Sequence, residues 1–283
     1  MRGIDRFAVI LLLIAIVAVA LRDFSAPGER RPSPQQQAPP STLAAPTSVD
    51  PTIVIEATPR KGNSTGTAFA IDRSGVWLTA RHVTESCGQV LLQTGPREGI
   101  QAINVVEHPR ADVAVIMTRR GASPLPLSRR LDPGQEGFHF GFPRGKPGEA
   151  HSQLLGRARL KTVGLRRHVE PVVAWAELRR HPGNLDALSG MSGGPVLDAS
   201  GRVVGVTIAT SRRRGRVFTA APISMREVLA QAEVSGNFDR APRVSTAKLN
   251  ADDFPDHGDA LRDSLTVAKV ICLLKARKRR PTY

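Results

Sequence analysis

Aromatic residues are scarce in this chain: they fill 4% of positions, with one tyrosine and two tryptophans among them. Any core must therefore be built from Val, Leu, Ile and Ala, and a base-stacking platform of interleaved aromatic and basic side chains is excluded. Cysteine is scarcer still. Cys87 and Cys272 form no CxxC pair, and the seven histidines show no metal-ligand spacing, so neither a structural metal nor a cofactor is expected. Two isolated thiols are the plainer expectation, with a single disulfide left open for an oxidising compartment. Acidic residues fall short of basic ones, 25 against 40, giving a formal charge of +15. Such a field attracts anions, but no helix-turn-helix or zinc-finger spacing accompanies it. It reads as a basic surface, with no specific nucleic-acid partner.

The chain changes character along its length. Residues 7–21 (FAVILLLIAIVAVAL) are an uninterrupted apolar run between Arg6 and Arg22. The run is longer than a typical signal-peptide core and shorter than a full span of a roughly 30 Å hydrocarbon layer. Residues 1–24 are therefore read as an N-terminal apolar helix, either a signal anchor or a signal peptide cleaved near Ala18-Val19-Ala20. The anchor is the favoured form. Either way, positive charge stays cytoplasmic and the remainder is exported. This puts the following domain on the periplasmic or extracytoplasmic side of the inner membrane, single-pass if anchored. Residues 25–50 are rich in Pro, Gln, Ser and Ala, a composition that cannot bury enough apolar surface to fold, and they read as a linker.

From residue 51 to 232 short β-type runs alternate with Gly, Pro and Asp-x-Ser-Gly turns, among them GTAFAID, VWLTA, QVLLQT, VAVIMT, GFHFGFP and RVVGVTIAT. About a dozen such runs without intervening long helices predict an all-β barrel or sandwich pair. Residues 224–234 (SMREVLAQAEV) predict a helix, with Ser224 as cap and Glu227 closing a capping box. Residues 233–283 read as a basic tail with a helix over 259–275 (DALRDSLTVAKVICLLK).

Three segments carry chemistry. Gly190-Met191-Ser192-Gly193-Gly194-Pro195 puts a serine on a glycine-rich turn ahead of the strand PVLD. An acyl-transfer nucleophile needs such a turn, because backbone N–H groups must converge on the developing oxyanion. Upstream, Leu78-Thr79-Ala80-Arg81-His82 ends an apolar strand on a histidine. Between them, Asp112 opens the apolar run Val113-Ala114-Val115-Ile116. A carboxylate at the mouth of a buried strand is costly unless paired, and a histidine N–H is the partner on offer.

In the order His, Asp, Ser, these segments resemble the trypsin-like serine proteases, and the bacterial Deg/HtrA-type branch above all. The likeness runs over roughly residues 52–230 through "GTAFAID", "VWLTARHV", "ADVAVI", "GFP", "GMSGGPVLD", "GRVVGV" and "TAAPI". It implies two packed six-stranded β-barrels, flanked here by the N-terminal apolar helix and a short C-terminal helical tail. It further implies a catalytic triad of His82, Asp112 and Ser192 at the junction, with an oxyanion hole from the backbone N–H groups of Gly190 and Ser192. The implied partner is a protein or peptide substrate. Met191 stands where animal trypsins carry an acid that pairs with a new amino terminus, so activation by propeptide cleavage is not expected. Only about fifty residues follow the core, too few for a PDZ domain. Arg81 replaces a residue that is often small.

For specificity, Asp186 lies six residues before Ser192, the offset of the acid in trypsin's primary pocket, which would favour Arg or Lys before the scissile bond. An exposed loop aspartate is the alternative. Ser189, Thr207, Ala209 and Thr210 complete the expected substrate-binding set, with residues 206–210 pairing to extended substrate by β-addition. A non-catalytic, protease-like binding module tethered to the membrane is the alternative from another class. An intact His82, Asp112 and Ser192 argues against it.

Overall fold

The computed structural model describes residues 42–57, 62–164, 167–211, 215–235 and 248–274. The apolar run 7–21 and most of the 25–50 linker lie outside them. Among the described residues no helix is long and apolar enough to cross a membrane.

In chain order the strands are β1 (Thr52–Ala57), β2 (Ser64–Asp72), β3 (Val76–Thr79), β4 (Cys87–Gln93), β5 (Gly99–Gln101), β6 (Asn104–Glu107) and β7 (Ala114–Met117). They continue with β8 (Glu136–Gly141), β9 (Gly148–Gly164), β10 (His168–His181), β11 (Pro195–Leu197), β12 (Val203–Ser211), β13 (Arg216–Ala220) and β14 (Val267–Leu274). Among the described residues three α-helices join them: α1 (Arg81–Thr84), α2 (Pro222–Gln231) and α3 (Phe254–Asp263).

Two seven-stranded sheets result. The first has the order β5-β4-β14-β2-β3-β7-β6 and is antiparallel throughout. The second runs β1-β9-β10-β13-β12-β11-β8. A further ladder between β8 and β9 brings its six antiparallel strands into a ring, and β1 adds in parallel to the far end of β9. The expected pair of β layers is thus met by two sheets of seven strands, the second built on a ring of six and the first including β14 from beyond the expected 51–232 domain.

Strands β3 and β7 read as continuous apolar runs because packing covers both faces; all four residues of β3 are buried. Phe69, Leu78 and Ile116 fill the first core, while Trp175, Met191 and Val196 fill a second cluster. The two buried indoles each find a hydroxyl: Trp77 Nε1–H donates to Thr118 Oγ1 at 3.0 Å and Trp175 Nε1–H to Thr219 Oγ1 at 3.0 Å.

Two helix expectations are corrected. Helix α2 begins earlier than the capping-box pattern implied, with Ala221 at the N-cap and Pro222 in the first turn; Ser224 is buried inside the helix. The helix expected over 259–275 ends at Asp263. There Ser264 Oγ donates back to the Ala260 carbonyl at 2.8 Å, and Leu265 takes a left-handed φ of 57°. The chain then re-enters the first sheet as β14, between β2 and β4, where partners on both edges outweigh any local helical preference.

The cysteines are likewise corrected from isolated thiols to a disulfide, Cys87–Cys272, with Cα atoms 5.4 Å apart and 185 positions of sequence between them. The bond staples β14 to β4. Cross-links that close long loops restrict the unfolded chain most, so Cys272→Ala is expected to lower unfolding free energy by about 2–5 kcal/mol. Urea titration of the two proteins under non-reducing conditions measures the difference.

Candidate active site

Asp112 sits just before β7, at the end of a turn that three buried groups shape. His108 Nδ1 accepts the N–H groups of Arg110, at 3.1 Å, and Ala111, at 2.7 Å, which leaves Nε2–H to face Glu227 of α2 at 3.0 Å. Arg81 is 3% exposed and donates through Nη1 to the carbonyls of His108, at 2.8 Å, and Pro109, at 3.2 Å. This explains an arginine just before His82: its guanidinium fixes the turn that presents Asp112. The third group, Glu170 of β10, is 1% exposed, and its Oε2 accepts the Asp112 N–H at 2.8 Å.

Helix α1 brings His82 to the same place. The His82 N–H donates to Asp112 Oδ1 at 2.8 Å, and His82 Nδ1 meets Oδ2 at 2.6 Å. Against a carboxylate Nδ1 must carry the proton, so Nε2 holds the lone pair. The His82 side chain is 42% exposed and that of Asp112 14%, so the imidazole reaches solvent while the carboxylate backs it. Burial pushes the Asp112 carboxyl upward, but the charge and hydrogen bonds of His82, with Arg81 adding its charge, outweigh it and hold the group below its ordinary value. Glu170 goes the other way: burial lifts its carboxyl, the hydrogen bond from His168 opposes the lift, and the Asp112 charge adds to it.

Ser192 comes from the second sheet, on the turn before β11, and its main chain is bound to the first. The Thr67 N–H of β2 donates to the Ser192 carbonyl at 2.8 Å, and Thr67 Oγ1–H to the Gly190 carbonyl at 2.8 Å. Gly193 N–H donates to Thr207 O at 2.7 Å, and Gly194 N–H to Met191 O at 2.8 Å. The turn needs its glycines. At Gly190 φ is +100° and at Gly193 +88°, and a Cβ on Gly193 would overlap the Thr67 carbonyl oxygen. Ser192 itself is half-buried. Within the described residues, neither the Gly190 nor the Ser192 N–H donates to a protein acceptor.

The expected substrate-binding residues divide. Asp186 is exposed and ion-paired to Arg144 at 3.2 Å, with a side chain 66% accessible. Its carboxylate lies at the surface, the placement that the exposed-loop alternative describes. Thr207 is buried, with its Oγ1 against His139 Nδ1 at 3.0 Å; its side chain belongs to the core and only its main chain reaches the Ser192 turn. Burial drives that His139 imidazole down to a pKa of about 3, so it stays neutral. Ser189 is exposed and gives its carbonyl to Arg144 N–H at 2.6 Å, and Ala209 is half-buried on β12. Thr210 lines a hollow of about 10 Å³ together with Ala187, Leu188 and Ser211. The acid there is Glu177, held by Arg180 at 2.5 Å. Neither Glu177 nor Glu170 was marked by any motif, since each lies inside an apolar strand run and gains meaning only from what the fold sets opposite.

Because Asp112 is held below its ordinary value of 3.8, it stabilises the fold above that pH and loses the contribution as pH falls below it. Asp112→Asn is expected to be less stable than the native chain near neutral pH, with the gap closing as pH drops past roughly 3.8. Urea midpoints of both proteins at a series of pH values measure this.

Residues 66–206 match the family model of the trypsin-like peptidase domain. The chain is 27% identical over 188 residues to the "probable periplasmic serine endoprotease DegP-like" of Pseudomonas fulva, covering 64% of this chain and 37% of that relative. A Pseudomonas putida (strain GB-1) protein with the same name is 28% identical over 159 residues, covering 55% of this chain and 31% of its own length. This chain therefore spans about a third of the length of these curated relatives. Among solved structures, the active form of the Rv3671c protease from M. tuberculosis aligns with a TM-score of 0.49 at 17% identity, covering 73% of this chain and 99% of that one. Residues 66–206 are a trypsin-like peptidase domain, the domain of the trypsin-like serine proteases.

Proposed function

We propose that the protein is a serine endopeptidase that hydrolyses protein or peptide substrates through Ser192, His82 and Asp112. The observation that carries this reading is the two-point contact between His82 and Asp112, at 2.8 Å through the backbone N–H and 2.6 Å through Nδ1. It orients the ring and fixes its tautomer. A core histidine needs neither a second tether to the same carboxylate nor an exposed face.

In this mechanism Ser192 Oγ attacks the scissile carbonyl carbon while His82 Nε2 takes its proton. Asp112 stabilises the resulting imidazolium. The N–H groups of Gly190 and Ser192 receive the negative charge that develops on the carbonyl oxygen. The tetrahedral species collapses as His82 returns the proton to the departing amine, leaving an acyl-enzyme. Water, deprotonated by the same imidazole, then releases the carboxylate product and regenerates the serine. The DegP-like relatives are named periplasmic. Together with the apolar run at 7–21, this supports action outside the cytoplasm, with the domain tethered by that run through the 25–50 linker.

A fluorophosphonate probe reacts with serines activated in this way. The native protein is expected to be labelled at neutral pH and to cleave an unfolded protein substrate, and Ser192→Ala is expected to abolish both. Equal labelling of the two proteins would sink the assignment. An unlabelled native protein that still retains peptides would favour the binding module.

A further inference from the structure

Glu170 is 1% exposed, and no step of the proposed mechanism uses it. A buried carboxylate is costly, and this one lies beside a second acid, Asp112, whose charge makes the burial worse. What offsets the cost is geometric. Oε1 of Glu170 faces His168 Nε2 at 3.2 Å on its own strand, and Oε2 accepts the Asp112 N–H at 2.8 Å.

Among the described residues the Asp112 turn has other tethers: some start from the sheet to which it belongs, and Glu227 of α2 reaches it through His108 Nε2 at 3.0 Å. The Asp112 carboxylate holds His82, and the preceding residues are gripped by Arg81 and His108. Helix α1 and the 108–112 turn both attach to first-sheet strands. Glu170 binds the Asp112 amide itself, and does so from β10, a strand of the second sheet, the one that carries Ser192.

We propose that Glu170 is a positioning residue that ties the Asp112 main chain to the second sheet and so fixes the His82–Asp112 pair relative to Ser192. This inference rests on the serine protease reading. The charged or titratable groups that bear on it are His168 on its own strand, Asp112 on the facing turn and, through Asp112, His82 and Arg81 on α1. The device is a reach. An acceptor oxygen must extend from β10 to the Asp112 amide, whatever its charge.

Two variants of the full-length protein separate reach from charge. Glu170→Gln keeps the acceptor in place and removes the charge; His168 can turn its Nε2 lone pair toward the new amide. Glu170→Asp keeps the charge and withdraws the oxygen by one methylene. The readout is the rate constant for fluorophosphonate labelling of Ser192 over roughly pH 5 to 9, which follows the neutral His82 base. It is taken below the melting temperature of each protein. Glu170→Gln is expected to label within about threefold of native, and Glu170→Asp about tenfold or more slowly, as for a catalytic group moved by a fraction of an ångström to an ångström. The acid limb of the Glu170→Asp profile is expected at lower pH, because a displaced Asp112 stabilises the imidazolium less. A folded loss without that displacement of the limb would overturn the proposal, as would native-rate labelling of Glu170→Asp or slow labelling of a folded Glu170→Gln. Should Glu170→Asp not fold, Glu170→Gln decides alone: a native rate supports the proposal and a tenfold loss overturns it. If the native protein itself labels no faster than Ser192→Ala, the protease reading fails and takes this inference with it. Loss of the positioning role alone leaves native labelling intact.

Discussion

Thr67 joins the two sheets, and the geometry around Ser192 depends on it. It lies fully buried in β2, and every polar group it has is used across the boundary or to brace it. Its N–H and Oγ1–H hold the carbonyls of Ser192 and Gly190; its Oγ1 also receives Phe142 N–H at 3.1 Å, and its carbonyl takes Thr79 Oγ1–H at 2.6 Å. Each bond contributes only about a kcal/mol in net stability, yet leaving any of these buried groups unpaired costs about 1–3 kcal/mol. The serine turn therefore has one good seat. Because Gly193 is pressed against the Thr67 carbonyl oxygen, that seat leaves no space for a side chain.

A second constraint is electrostatic. Arg81, Asp112 and Glu170 are three ionisable side chains in one small, poorly hydrated volume, where an unpaired charge is far more costly than at the surface. Their arrangement answers the cost group by group: Arg81 faces backbone carbonyls, Asp112 faces a histidine and Glu170 faces a backbone N–H with a second histidine behind it. The net +15 of the whole chain plays little part in this balance. What decides the ionisation of Asp112 is the nearest few ångströms.

The sequence displayed the local part of this design clearly. His82, Asp112 and Ser192 each stand at the end of an apolar run or on a glycine-rich turn, and such local signals survive without any knowledge of the fold. The strand alternation likewise told of an all-β architecture. Non-local features were hidden. Val267, Val270 and Ile271 favour a strand, but without Gly or Pro to interrupt it, residues 259–275 are equally compatible with a helix until β2 and β4 supply hydrogen-bond partners. The pairing of Cys87 with Cys272 stayed undecided for the same reason, since it follows from the placement of β14. Asp186 could be read two ways. Its offset from the serine suited a pocket, yet loop residues 183–186 carry it outward to Arg144.

The position of β14 orders events in time. The first sheet is interrupted between β2 and β4 until residues 267–274 arrive, and these are the last described residues of the chain. During synthesis, both β2, which carries Thr67, and β4 wait with an open edge for a strand nearly two hundred positions downstream of Cys87, a long and slow closure for a growing chain. Until it comes, the Ser192 turn has no finished wall to lean on. The fold thereby delays completion of the Ser192 surroundings until residues 267–274 have emerged.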